Sequence, residues 1–372
     1  MSDEKRDISD VAATGRPWRL VTEPMHVAER NAKPENEIRP SSPSEQRMFD
    51  PSSRRIARLP DQVRTDAATS RPFRVSFLDD IATGLLDTDL VVIGAQTGAG
   101  KTTLASILAQ TAAAAGARVH YLALEAHEGE IEMRMLFRIM ARMAWERRIA
   151  APEELVRFTY GRWRHGRCEE VVSRVERDAM QELTQATSTM STLYRTGRFR
   201  TADLVGRILG VSGQSDLIVL DHLHFLDDGD EDEIRAMRRT VKAISDAIQD
   251  ARTPVVAIAH LRKMDTRIKR VVPHISEFHG SSDITKVATK VITLAPVERP
   301  RAAHYIADTF LHVSKDRLEG EQNYTAIVGF DLRSYSYLPR YELGRLVKGG
   351  SEWQELPIAE VPWWAVHERR RS

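Results

Sequence analysis

The apolar positions of this chain are unevenly spread. Before Phe73 they are scattered among charges of both signs, and half of the chain's 16 prolines fall there. Such a stretch buries too little apolar surface to offset the entropy of ordering it. Met1 to about Asp61 is therefore expected to be largely disordered, within a tail over residues 1–72. "SEQRMFDPSSRRIARL" has room for one short docking helix or is a solvated stretch. From Phe73 the texture changes. "DLVVIGA" is an unbroken apolar run that predicts a buried strand over Asp89–Ala95. An alanine-rich helical pattern follows from Lys101 to about Ala115, Gly116 ends it, and "RVHYLALE" predicts the next strand. Strand, helix, strand in this order is a βαβ unit, which implies a parallel sheet with helices on its faces.

The same alternation continues. In "HEGEIEMRMLFRIMARMAWERR", Met133, Leu136, Met140 and Met143 recur at helical spacing and predict a core-facing stripe. "EEVVSRVERDAMQEL" predicts a helix, "STLYRTG" a short strand, and Thr201 an N-cap for the helix "ADLVGRILG". "SDLIVLDHLHFL" is a second buried strand ending in an acid. The helix "EIRAMRRTVKAISDAIQDA" and the strand "PVVAIAHL" follow, then strands in "VATKVITLA", "YIADTFLHVSK", "YTAIVGFDL" and "SYSYL". No internal repeat is visible. One α/β domain over residues 73–340 accounts for the pattern. Residues 341–372 form a C-terminal tail with Trp353, Trp363, Trp364 and Arg369, Arg370 and Arg371.

Composition narrows the classes. Hydrophobic residues make up 42% and charged residues 29% of 372, as in a soluble globular protein. No apolar run approaches the ~18 residues that a membrane span needs, and "MSDEKRDISD" has no apolar core of a secretory signal. No membrane partner is expected. The net charge of +1 gives no global case for a nucleic-acid partner, so such a case must be local. Cys168 is the only cysteine, which excludes an internal disulfide and a cysteine-rich zinc site and fits a reducing cytoplasm. It stands at a helix start without catalytic context and reads as a bystander thiol rather than a nucleophile.

The chemistry begins after the first strand. Ala95, Gln96, Thr97, Gly98, Ala99, Gly100, Lys101 and Thr102 fit the P-loop pattern with Ala in place of its first Gly. Gly98 and Gly100 let successive backbone N–H groups converge on phosphate oxygens. The helix that starts at Lys101 points its positive end at the same anion. Lys101 brings a full charge to the β- and γ-phosphates, the Thr102 hydroxyl suits Mg²⁺, and Thr103 is a secondary contact. The cofactors expected are ATP and Mg²⁺. Asp221, ending "LIVLD", is the second hold on Mg²⁺, through a coordinated water. Glu125, ending "YLALE", is the candidate base. The competing reading of a strand-end acid taken alone is a helix cap or a solvated turn. His260, ending "PVVAIAH", suits a hydrogen bond to the γ-phosphate; a packed, satisfied histidine is the competing reading.

The order P-loop, strand-end Glu, strand-end Asp, strand-end His is that of the RecA-like core. The chain resembles the C-terminal motor domain of DnaB-type ring helicases, nearest in motif style to the Twinkle-type and phage primase–helicase branch. "FLDDIATGLLDTDLVVIGAQTGAGKTTLA" resembles the family's P-loop segment, "VHYLALEAHEGEIEMRM" its Glu-bearing motif and "LIVLDHLHFL" its metal-binding motif. "AIAHLRK" resembles the sensor strand, "SEFHGSSDITKVATKVITL" the segment after it, and "SKDRLEG" the late Lys-x-Arg motif. The resemblance covers about Phe73 to Leu338. It implies a RecA-like P-loop NTPase: a mostly parallel sheet flanked by helices, in a homo-oligomeric, hexameric ring with nucleotide between subunits. It implies that Lys315 and Arg317 act in the neighbour's site, with Arg317 as the arginine finger. Read without it, that pair is a surface salt bridge.

"LRKMDTRIKRVV" places Arg262, Lys263, Arg267, Lys269 and Arg270 just after the sensor strand. A basic loop by itself is more often simply solvated. The resemblance implies that this one grips single-stranded DNA, with Gly280, Ser281 and Ser282 as a second backbone-gripping turn. The acidic run Asp227 to Glu233 is expected to be solvated and to repel DNA. The pattern also departs from the family: "LLDTDL" lacks the usual Pro-Gly turn, and His279 stands where relatives often have Arg. The 70-odd residues before the motor are too few and too polar for a primase or a helical collar. Either this segment docks on a neighbour or another protein supplies the collar. A loader, a primase or another replication protein is a further expected partner. The function expected is an ATP-driven, ring-forming translocase or helicase on single-stranded DNA, cytoplasmic, from a bacterium, phage or plasmid. A RecA/RadA- or KaiC-like ATPase in recombination or regulation and a nucleotide-gated loader or scaffold without unwinding remain the alternatives.

Overall fold

The computed structural model describes residues 52–226, 229, 233–261, 270–278, 284, 286–297, 305–320, 323–357, 360–362 and 364–365. The chain divides into two units, Met1–Leu59 and Pro60–Ser372. The boundary falls inside helix α1, Ser52–Thr69, at its internal Pro60. The rest of this description concerns the second unit.

That unit is built on one ten-stranded sheet. Its strands are β1 Leu90–Ala95, β2 Val119–Ala123, β3 Met190–Tyr194, β4 Leu217–Asp221, β5 Val255–His260, β6 Lys290–Pro296, β7 Ile306–Asp316, β8 Tyr324–Asp331, β9 Ser336–Val347 and β10 Glu352–Glu355. Their order across the sheet is β10-β9-β8-β7-β6-β1-β5-β4-β2-β3. From β6 through β1 to β3 every pairing is parallel; from β6 outward to β10 every pairing is antiparallel. The chain explains the division. The parallel strands are linked through helices, whereas β7, β8 and β9 follow one another through short turns, and short turns make antiparallel neighbours.

β1 lies inside the sheet between β6 and β5, fully buried along its length. A strand covered on both faces must be apolar at every position, which is why "LVVIGA" shows no alternation. Val91 and Ile93 face one core with helices α3 Lys101–Ala114, α4 Glu130–Glu146 and α7 Glu169–Ala186. Leu90 and Val92 face the other, with α8 Thr201–Gly210 and α9 Glu233–Ala251. Gly94 is fixed by packing: a Cβ there would lie 2.2 Å from the buried Phe278 ring. The described residues also include three short α-helices: α2 Ser76–Ile81, α5 Pro152–Arg157 and α6 Tyr160–Arg164.

Two expectations need correction. Thr201 is not the N-cap of α8. It is the first helical residue, and the Asp203 carboxylate accepts from the backbone N–H of Arg200 at 2.9 Å instead. The carboxylate is the stronger acceptor and reaches back one turn. On α4 the buried face carries Ile131, Met135, Met140 and Met143, while Met133 and Leu136 are only half-buried on its flank. The stripe is rotated because Phe137, buried against Phe158 and Tyr160, claims the core position.

Candidate active site

The parallel register brings four strand ends together. Ala95 pairs with His260, and Ala123 with Asp221. Parallel strands align their carboxyl ends, so whatever follows β1, β2, β4 and β5 shares one rim of the sheet. After β1 the chain turns through Gln96, Thr97, Gly98, Ala99 and Gly100 into α3. Gly98 and Gly100 have φ of 82° and 88°, the left-handed region that a side chain would strain. Lys101 is buried and donates from Nζ to the backbone oxygens of Ala95, at 3.1 Å, and Gln96, at 2.9 Å. Burial lowers its pKa, against the pull of Glu125 and Asp221. Thr103, behind it, is also buried.

Asp221 closes the floor. It is 1% exposed, receives the Tyr121 hydroxyl at 2.8 Å and the Thr102 hydroxyl at 3.3 Å, and burial pushes its pKa up to about 6. A carboxylate buried among two hydroxyls, with Glu125 as well as Lys101 near, is an expensive anion. That is the environment a hard divalent cation suits, because it takes oxygen ligands and offsets the buried charge. The residues present therefore fit Mg²⁺, with Thr102 and Asp221 to hold it. Glu125 follows β2 by two residues, with its side chain 44% exposed, and His260 is half-buried at the end of β5. Lys101, Thr102, Glu125 and His260 line one cavity of about 440 Å³.

Sequence reasoning missed several of its neighbours. Arg134 and Tyr335 line the same cavity, and Arg134 donates to the Tyr335 hydroxyl at 2.7 Å and to Glu130 at 2.6 Å. The spacing of Glu130 and Arg134, four apart on a helix, was a usable signal. Tyr335 had none, because it arrives from a turn more than 200 residues away in sequence. His222 and His224 stood in plain view beside Asp221. A second cavity, of about 430 Å³, abuts the other side of the P-loop and is walled by Phe330, Tyr335 and Tyr337.

The remaining candidates lie elsewhere. Lys315 and Arg317 sit at the end of β7, which runs antiparallel to β6, so Asp316 pairs with Lys290 at the start of β6. Val91, at the start of β1, also pairs with Lys290. The basic pair is thus at the opposite rim from the P-loop, about 20 Å away for a strand of six residues. Lys315 Nζ donates to Ala288 O at 2.6 Å and Arg317 to Lys286 O at 3.3 Å. Both line a cavity of about 890 Å³ that also holds Arg270. Asp316, between them, turns inward to a buried cluster: Lys290 Nζ donates to it and to Thr83 Oγ1, both at 3.0 Å. Arg262, Lys263, Arg267, Lys269, Gly280, Ser281 and Ser282 lie outside the described residues, as do His279 and most of the acidic run.

Comparison with known proteins gives one family. Residues 73–328 match the model of the DnaB-like helicase C-terminal domain. No curated protein sequence matches the chain. Among solved structures, a DnaB-like replicative helicase described with its interactions with primase is similar with a TM-score of 0.56 at 14% identity. That likeness covers 72% of this chain and 61% of the other, so this chain spans less than two thirds of that helicase's length. The ATPase domain of G40P is similar with a TM-score of 0.57 at 12% identity, covering 83% of this chain and all of that one. At such identities the likeness speaks for the fold, a RecA-like α/β sheet flanked by helices.

Proposed function

The chain belongs to the DnaB-like helicase C-terminal domain family, and on that premise we propose that it is an ATP-hydrolysing motor that forms rings and moves along single-stranded DNA in replication. The P-loop N–H groups and Lys101 bind the triphosphate. Thr102 and Asp221 would hold Mg²⁺, which would supply positive charge against the triphosphate. Glu125 accepts the proton of the water that attacks the γ-phosphorus as the bond to ADP breaks. His260 donates to the γ-phosphate and registers its loss. The aromatic cavity beside the P-loop offers Phe330 and Tyr337 to the flat base.

One observation carries the ring. Arg317 is a full strand length from its own P-loop and cannot serve it. An exposed guanidinium on a strand end pinned from behind by the buried Lys290–Asp316 pair is instead presented outward. A neighbouring copy that offers its P-loop rim to this face would receive the finger, which is worth ~10³–10⁵ in rate. Arg270, the last of the basic residues that follow β5, lines the same cavity, and the DNA contact belongs to that basic run.

The test measures ATP turnover with and without single-stranded DNA, alongside particle mass with a non-hydrolysable ATP analogue. A hexamer whose turnover rises with DNA is the expected result. A monomer that hydrolyses at full speed regardless of DNA contradicts the reading.

A further inference from the structure

His222 and His224 lie against Glu125 and His260, which line the ATP cavity, and have no part in the mechanism above. His222 is fully buried directly after Asp221. Its Nδ1 accepts the backbone N–H of His224 at 3.3 Å. A nitrogen that accepts carries no proton, so the neutral ring bears its proton on Nε2. Nε2 lies 3.1 Å from Glu125 Oε2, close enough to donate but out of line with it. The Glu125 side chain is 44% exposed, which leaves it room to align the bond.

The contacts continue toward the sensor strand. The backbone N–H of His260 donates to His224 Nδ1 at 3.4 Å, and the rings of His222 and His260 stand edge to face at 4.0 Å. Glu125, His222 and His260, with donor atoms within 4.8 Å of one another, also make a donor set that zinc accepts. The proton on His222 Nε2 speaks against that use, since a metal needs a lone pair there. A donor aimed at a carboxylate is what remains.

We propose that His222 positions Glu125: its Nε2–H takes one carboxylate oxygen and leaves the other to face the attacking water. This rests on the reading of Glu125 as the base. It also joins the base to the end of β5 through His224, so that displacement at His260 is felt at Glu125.

A double-mutant cycle tests it on the full chain with MgATP and single-stranded DNA. His222→Phe keeps a flat ring and removes the donor. The expected result is a kcat lower by roughly tenfold or more, as for a lost hydrogen bond to a charged group, with ADP affinity and KM for ATP within about twofold. In a Glu125→Gln background, His222→Phe should cost nothing further, and His222→Gln, which restores an N–H, should recover part of the rate. Two effects that multiply, or weaker ADP binding with kcat intact, overturn the proposal. If His222→Phe does not fold, the imidazole ¹⁵N spectrum of the wild type decides: an Nδ1–H tautomer at His222 overturns it, an Nε2–H tautomer upholds it. Full turnover by Glu125→Gln alone is a different failure and removes the base reading itself.

Discussion

At Asp221 burial and charge pull against each other. The carboxyl is 1% exposed and its pKa is pushed up to about 6, yet a site for Mg²⁺ needs it ionised. The Thr102 and Tyr121 hydroxyls offset part of that cost, and the cation would offset more. Lys101 faces the complementary problem, a buried ammonium satisfied by two backbone carbonyls. Its charge has a use only when an anion enters. Lys101→Ala should therefore weaken ATP binding by at least roughly 100-fold, about 3 kcal/mol, as read by titration calorimetry; wild-type affinity would contradict the phosphate loop. Residues such as these were legible because their spacing along the chain encodes their geometry. The glycines, Lys101 and Thr102 are neighbours in sequence, and Asp221 and Glu125 each end an apolar run. Tyr335 was not legible, because only the closed sheet brings its late turn against Arg134 of α4.

The elements themselves divide in the same way. β1, β2, β4 and β5 announce themselves as apolar runs because both of their faces are covered. The antiparallel half is harder to read: β9 runs twelve residues with mixed burial, and "SYSYL" marks only its beginning. β7 shows what this half contributes. His312 is buried on it beside Thr325 of β8, at 3.1 Å, and burial holds its pKa down to about 4 from an ordinary 6.5. The folded state thus keeps the ring neutral, whereas the unfolded chain protonates it near pH 6.5. The stability this contributes is fully present above pH 6.5 and is lost as pH falls toward 4. Between pH 7 and 5 the wild type should lose on the order of 2 kcal/mol more than His312→Gln, measured by urea midpoints. Parallel pH curves would show that the ring is not buried neutral. The buried Lys290–Asp316 pair, at 3.0 Å, fixes the far end of the same strand. A buried pair contributes more to geometry than to net stability, and here the geometry is the outward presentation of Arg317.

At the scale of the whole molecule the two groups of candidate residues lie apart. The P-loop, Asp221, Glu125 and His260 gather at the carboxyl rim of the parallel strands; Lys315, Arg317 and Arg270 gather at the other rim. On the proposed reading one copy holds both groups of residues, yet its own fold keeps them from meeting. Neither the separation nor the Lys290–Asp316 anchor could be read from the order of motifs, because both depend on β7 running antiparallel beside β6. Mixing defective subunits addresses this arrangement directly. Arg317→Ala and Glu125→Gln chains should each bind ATP and barely hydrolyse it. Combined, they should regain DNA-stimulated turnover, because some interfaces pair an intact Glu125 rim with an intact Arg317. No recovery at any mixing ratio, or an Arg317→Ala chain as active as the wild type, would contradict hydrolysis shared between neighbours.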